Sequence, residues 1–281
     1  MTSPKLSLIT TCKGRLQHLK SSLPRMAGQV DCECIVVDYD CPDGTGSWVA
    51  AHFPAVRLVR VVAEPMFHLA HARNLGASKA SADWLVFVDA DALLTPSWAR
   101  ELLPLLVPGY YYRPSPRPTD AWGFVVCERA RFEAIAGYDD VLRGWGGEDE
   151  DLYLRLGLAG GKPASFPGAL LDTIPHETAQ RVRFSDIGDR WISQRAHALY
   201  CYIKFDLLRQ ARQLVLPLDV RQAIYEEVRR TVVADAASGA ASSRIAVQLP
   251  LENVMPVWGW TIRREWTFVL EKLPNVPPPA P

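Results

Sequence analysis

Short runs of apolar and β-branched residues recur through the first half of the chain, each separated from the next by a stretch of helical character. That alternation leaves few architectures open, because parallel strands need long crossovers, and crossover helices cover the sheet they serve. The residues predict strands at Leu6–Thr11, Cys34–Tyr39, Val56–Val62 and Trp84–Val88, with helices at Leu16–Met26, Thr45–His52 and Leu69–Ala80 between them. Trp84–Val88 shows no polar alternation, which suits a strand buried on both faces. The expected fold class is α/β, Rossmann-like, with a mostly parallel central sheet flanked by helices.

Further along, the prolines between Tyr110 and Thr119 remove donors and restrict their neighbours, so a loop is expected there. A strand at Gly123–Cys127, a helix at Ala130–Ala136, a helix from about Glu148 and an extended Ala164–Ile174 complete this part. After Arg181, apolar residues three and four apart over Trp191–Val215 and Val220–Val233 predict amphipathic helices. Asp235–Ser243 has the composition of a linker, and Pro274–Pro281 is a proline-rich tail. The expected division is a first domain over 1–180 and a helical C-terminal extension over 181–281.

With 281 residues, 48% of them hydrophobic, the chain can bury a substantial core. Its 31 basic residues balance 31 acidic ones, which argues against nucleic-acid binding through bulk electrostatics. The longest apolar runs fall short of the roughly 20 residues that cross a bilayer, and Lys13 and Arg15 interrupt the N-terminal segment before it reaches signal-peptide length. A cytoplasmic protein is expected. Trp258, Trp260 and Trp266 beside Arg263 and Arg264 read as core packing, with peripheral contact at the inner membrane face or with a partner left open. The cysteines, at 12, 32, 34, 41, 127 and 201, are too sparse for a disulfide framework. Cys32, Cys34 and Cys41 lack the paired spacing or nearby His of a zinc site and read as small buried side chains.

In open α/β sheets ligands bind outside the carboxyl ends of the strands, which directs attention to Asp38, Asp40, Asp89 and Asp91. Asp89-Ala90-Asp91 places two carboxylates around a turn where a hard cation and a phosphate can meet them. By itself this pattern is also that of an ordinary solvated turn. A second constellation, Gly144-Trp145-Gly146-Gly147-Glu148-Asp149-Glu150-Asp151, opens a helix. Its crowded carboxylates raise one another's proton affinity unless a cation or the helix dipole relieves them, so capping competes with catalysis as its explanation. The glycines allow close backbone approach and Trp145 offers a flat face to a sugar ring. Thr11-Cys12-Lys13-Gly14-Arg15 sits where a strand hands over to a helix, a place suited to phosphate or nucleobase contacts, and it is not a Walker loop.

These segments, together with Phe67-His68-Leu69-Ala70-His71-Ala72-Arg73-Asn74, resemble in kind and order the nucleotide-sugar glycosyltransferases of the GT-A fold. The resemblance is to family two, with a second half similar to the β-1,4-galactosyltransferases and chondroitin-polymerase-type enzymes, and it covers about Leu6 to Arg181. It implies that 1–115 binds the nucleotide sugar and 116–180 carries the acceptor and catalytic part. It further implies nucleotide contacts from Thr11, Lys13, Arg15 and Asp38, and donor contacts from Phe67, Arg73, Asn74, Asp89, Trp145 and Gly147. Asp91 and His176 would hold a divalent metal, Mn2+ or Mg2+. Glu148 would position the acceptor hydroxyl and Asp149 would act as the catalytic base.

The resulting expectation is a metal-dependent, inverting transferase that moves a hexose or N-acetylhexosamine from a UDP-sugar to a hydroxyl of a glycan or similar acceptor. Two other readings stay open: a retaining GT-A enzyme, and a non-catalytic glycan- or nucleotide-binding subunit.

Overall fold

The structure is a computed structural model, and it describes residues 3–175, 183–185, 188–238, 242–250 and 263–271. The described chain divides into two compact units, Met1–Gly144 with Glu148–Asp186, and Trp145–Gly147 with Ile187–Pro281.

The first unit is built on a seven-stranded sheet of order β3-β2-β1-β4-β7-β6-β8. Its strands are β1 (Leu6–Cys12), β2 (Cys32–Tyr39), β3 (Arg57–Val61), β4 (Trp84–Phe87), β6 (Tyr110–Ser115), β7 (Val125–Glu128) and β8 (Lys162–Pro167). β1, β2, β3 and β4 run parallel, β7 lies antiparallel between β4 and β6, and β8 returns parallel to β6. In register, Ile9 stands between Ile35 and Phe87, so the apolar centres of three strands align in one row. Because β1 is buried on both faces, its polar members need partners. Ser7 Oγ answers by donating to Glu33 Oε1 at 2.6 Å.

One face of the sheet is covered by α1 (Leu16–Ala27), α2 (Thr45–His52) and α4 (Trp98–Leu102). On α1 the buried positions Leu16, Leu19, Leu23 and Met26 follow helical spacing, and full burial of a side chain such as Leu19 contributes about 1.5–3 kcal/mol of hydrophobic stabilisation. The opposite face carries α3 (Leu69–Ala77), α5 (Arg129–Ala134) and α6 (Glu148–Leu158), packed through residues such as Phe87, Phe132, Tyr138, Leu152 and Leu156. A small antiparallel ladder joins β5 (Ala92–Leu94) to β9 (Leu171–Thr173).

The second unit pairs α7 (Arg190–Ala211) with α8 (Leu218–Ser238), which meet around Tyr200 and Tyr225 in edge contact. Asp189 caps α7 by accepting from the Trp191 and Ile192 backbone N–H groups. This unit also holds an antiparallel pair, β10 (Ser242–Pro250) and β11 (Arg263–Glu271).

Three expectations need correction. Tyr110–Ser115 is a strand, not a loop, and its pairing with β7 is confined to Tyr112 opposite Val126. Pro114 falls beyond that pair, so its missing N–H removes no bond from that ladder. The C-terminal extension is not wholly helical, because β11 alternates half-buried Arg264, Trp266, Phe268 and Leu270 with exposed neighbours. That period of two belongs to a strand. Residues 235–238 continue α8 rather than forming a linker. Trp258, Trp260 and the proline-rich tail lie outside the described residues.

Candidate active site

β4 delivers the chain to Asp89 at the carboxyl end of the sheet, and the turn that follows is held from both sides. Ser22 Oγ on α1 donates to the Ala90 carbonyl at 2.7 Å. On the other side, the Ile174 N–H donates to the Asp91 carbonyl at 2.9 Å, directly after the ladder that pairs Ala92 with Thr173. Asp91 is buried, at 2% exposure, and its Oδ2 accepts from Arg15 Nη1 at 3.2 Å.

Arg73 on α3 organises the rest. Its guanidinium is 3% exposed, donates from Nη2 to Asp89 Oδ1 at 2.9 Å and from Nη1 to Asp149 Oδ1 at 2.8 Å, and lies 3.6 Å from Glu148 Oε1. The Tyr138 ring faces it at 5.0 Å. Burial disfavours the Arg73 charge, yet Tyr138 and the surrounding carboxylates hold it more firmly protonated than usual. Gly123 allows this arrangement. A Cβ there would stand 2.2 Å from Arg73 Nη2 and 2.9 Å from Asp89 Oδ2.

The same environment acts on the acids of α6. Burial, and then the negative charge of Asp149, raise the proton affinity of Glu148. Burial also raises that of Asp149, while Arg73 opposes the rise. Asp149 has the direct hydrogen bond to Arg73 and Glu148 stands farther off, so Asp149 is the more acidic of the two. The first turn of α6 therefore presents a buried carboxylate poised nearer neutrality than a solvated one, beside a neighbour that keeps its proton longer.

Asp38, Lys13 and Asn74 each hold neighbouring backbone in place. Asp38 accepts from the Cys41 and Gly46 N–H groups at 3.1 and 2.9 Å, shaping the turn into α2. Lys13 Nζ is buried and donates to the carbonyls of Tyr39, Asp40 and Glu64 at 3.1, 2.8 and 2.7 Å. With its three protons placed on backbone oxygens, Lys13 ties β2 to the segment after β3. Asn74 donates to the Tyr138 carbonyl at 2.9 Å and to Asp140, and accepts from the Tyr138 N–H at 2.8 Å. It staples the Tyr138–Asp140 turn to α3.

Thr11 is half-buried beside Val37 near the end of β1, and Phe67 sets its ring edge-on to Tyr39 at 5.5 Å. Trp145 and Gly147 belong to the second unit. There the Trp145 N–H donates to Ser193 Oγ at 2.9 Å, the Arg190 guanidinium lies 5.8 Å from its ring, and Gly146 O meets His197 Nδ1. Gly147 has φ +89, and a Cβ on it would reach to 2.9 Å of His197 Cβ. Their close fit to α7 gives the glycines a packing reason as well.

The residues that bring Arg73, Asp89 and Asp149 together thus come from α3, the end of β4 and α6. Thr11, Arg15, Asp38 and Asp91 lie at or just past the carboxyl ends of β1, β2 and β4 in the same unit, and His176 lies outside the described residues. Among the described residues no group of three or more His, Cys, Asp or Glu could hold a metal ion. Asp91 nonetheless has the hard oxygen chemistry a divalent cation takes, and the partly exposed Arg15 is the cation now beside it. Gly123, Ser22 and Tyr138 were not legible as site residues. Only the glycine before the apolar run of β7 hinted at a close approach.

Residues 7–112 match the family model described as glycosyl transferase family 2, and residues 110–181 match the one described as the N-terminal domain of galactosyltransferase. Among solved structures, the mannosyltransferase PcManGT from Pyrobaculum calidifontis, in complex with GDP-Man and Mn2+, is similar with a TM-score of 0.54 and 18% identity. That match covers 85% of this chain and 77% of that one. S. aureus TarS 1-349 is similar with a TM-score of 0.51 and 13% identity, covering 84% of this chain and 92% of that one. The mixed, mostly parallel sheet with its flanking helices is the GT-A fold.

Proposed function

Because the chain is a nucleotide-sugar glycosyltransferase of family 2 with a galactosyltransferase-like second segment, we propose that it transfers a hexose or N-acetylhexosamine from a UDP-sugar to a hydroxyl acceptor with inversion. The observation that carries this reading is the Arg73 bridge. One guanidinium joins Asp89, at the strand end assigned to the donor, to Asp149, in the helix turn assigned to the acceptor.

In this reading Asp149 takes the proton of the acceptor hydroxyl as that oxygen attacks the anomeric carbon, and the nucleoside diphosphate leaves from the opposite face. A positioned base of this kind contributes typically about 10²–10⁴-fold. Burial favours the role, since a carboxylate with raised proton affinity accepts a proton more readily at neutral pH. Arg73 fixes its orientation and limits the rise. Glu148, holding its proton longer, can donate to an acceptor oxygen and orient it.

Asp91 and His176 are proposed to hold Mn2+ or Mg2+, which when bound would offset the negative charge gathering on the departing diphosphate. The choice of His176 is supported by the Ile174–Asp91 backbone bond, which puts the chain two residues before it alongside the Asp91 backbone. Arg15, now paired with Asp91, would exchange that carboxylate for a phosphate oxygen. A first domain over 1–180, catalytic as a whole, is part of the same proposal, as are a cytoplasmic setting and at most peripheral membrane contact. No helix among the described residues is long and apolar enough to cross a membrane.

The test is a panel of UDP- and GDP-sugars with Mn2+ and a broad acceptor set, read by nucleotide release and by proton NMR of the product anomer. Transfer from a UDP-sugar with inversion is expected. Asp149→Asn is expected to bind donor normally while kcat falls about 10²–10⁴-fold, and undiminished turnover would remove it as base. GDP-selective turnover would overturn the donor, retention the stereochemistry, and donor binding without turnover the enzyme reading.

A further inference from the structure

Cys12 at the end of β1 and Cys41 in the turn before α2 are not separate small buried side chains. Their sulfurs meet the same hydroxyl, Thr45 Oγ1, at 3.2 and 3.1 Å. The direction of these bonds matters. Thr45 donates to Cys41 Sγ, which leaves the Thr45 oxygen to accept from the Cys12 thiol. The Gly14 N–H donates to Cys41 Sγ as well, at 3.1 Å. One sulfur therefore collects donors and the other keeps its proton. The two also differ in access, Cys41 being partly exposed and Cys12 buried.

We infer that Cys41 is a peroxide-reactive thiol and that Cys12 resolves its oxidised form into a Cys12–Cys41 disulfide. The surroundings are those that favour a thiolate at one position and a thiol at the other. The neighbouring Cys12, with hydrogen bonds donated by Thr45 and the backbone, brings the Cys41 thiol down to about 5 against the opposing effect of burial. The Cys12 thiol is pushed up, first by the neighbouring Cys41 and then by burial.

In the first step the Cys41 sulfur attacks one peroxide oxygen, the O–O bond breaks, and Cys41 becomes a sulfenic acid as hydroxide leaves and is protonated to water. In the second, the Cys12 sulfur attacks the Cys41 sulfur, the S–O bond breaks, and the hydroxyl leaves as water with the Cys12 proton. Two thiols are oxidised, one hydrogen peroxide is reduced, and two waters are released. This chemistry stands independently of sugar transfer.

Cys32 supplies an internal control. It is also partly exposed, but burial and nearby acidic groups push its thiol up to about 12. The full chain is labelled with iodoacetamide at pH 6 and each cysteine is followed by peptide mass spectrometry. Cys41 is expected to react at least about 10-fold faster than Cys32. After equimolar hydrogen peroxide, a mass loss of about 2 Da and a dithiothreitol-sensitive Cys12–Cys41 linked peptide are expected. Cys12→Ser should keep fast labelling and leave Cys41 as a sulfenic acid trapped by dimedone. Labelling of Cys41 no faster than Cys32, or peroxide oxidation that leaves both thiols intact or links either to another cysteine, overturns the proposal. The unmodified protein decides both points even if Cys12→Ser fails to fold.

Discussion

A guanidinium shut in with three carboxylates apportions its charge by distance. Arg73 sits at 2.8 and 2.9 Å from Asp149 and Asp89 but 3.6 Å from Glu148, so Glu148 is the least compensated of the three. Its proton affinity is raised in the folded state above the ordinary 4.5. The stabilisation that comes with its protonation is therefore complete below about that ordinary value and is lost as pH climbs through the raised one. Glu148→Gln keeps the shape without the charge, and is expected to exceed the parent in stability by ~1–3 kcal/mol at pH 8 and by little at pH 5. Urea midpoints at the two pH values measure this, and an equal difference at both would refute it. The acids themselves were legible, because glycines followed by a carboxylate run at a helix start is an unusual local composition. The bonds that Lys13 and Asn74 make were not legible for a definite reason: their chemistry shows in the sequence, but which carbonyls they reach depends on where β2, β3 and the Tyr138 turn arrive.

α6 couples the acids to the fold through a buried ion pair. Asp151 Oδ2 accepts from Arg155 Nε at 2.8 Å, one turn along, and Arg155 Nη1 also donates to the carbonyls of Ile135 and Gly137 at 2.7 and 2.6 Å. The guanidinium thus closes the turn that carries Tyr138. Asp151→Ala leaves that cation buried without its carboxylate and is expected to lower unfolding stability by about 3–5 kcal/mol, measured by denaturant titration. A loss below about 1 kcal/mol would show that the carbonyls alone suffice. Elements with one clear periodicity were readable to within a few residues, Thr45–His52 to its bounds and Leu16–Ala27 nearly so. Tyr110–Ser115 was not, because proline argues against strands in general and only the short β6–β7 pairing makes this one permissible. β11 carries a legible alternation of its own, set beside the longer helical patterns that precede it.

At the scale of the whole molecule, β7 is inserted between β4 and β6, so the two matched segments share one sheet. The join at residues 110–112 falls within β6 itself. Expressed separately, 1–109 and 113–186 are each expected to lack cooperative unfolding by circular dichroism, because each exposes unpaired strand edges and one side of the core. A sharp transition in either fragment would contradict this. The parallel half of the sheet was legible from its strand–helix rhythm. The antiparallel entry of β7 was not, since no local residue pattern distinguishes an inserted strand from an added one. Interleaving also bears on how such enzymes can be recombined. A chimera that exchanges only the acceptor half at residue 110 would import a foreign β7 against a resident β4. A crossover before Trp84 would in turn part β4 from β1, so a donor-half graft must carry β1 and β4 together with the antiparallel neighbour β7.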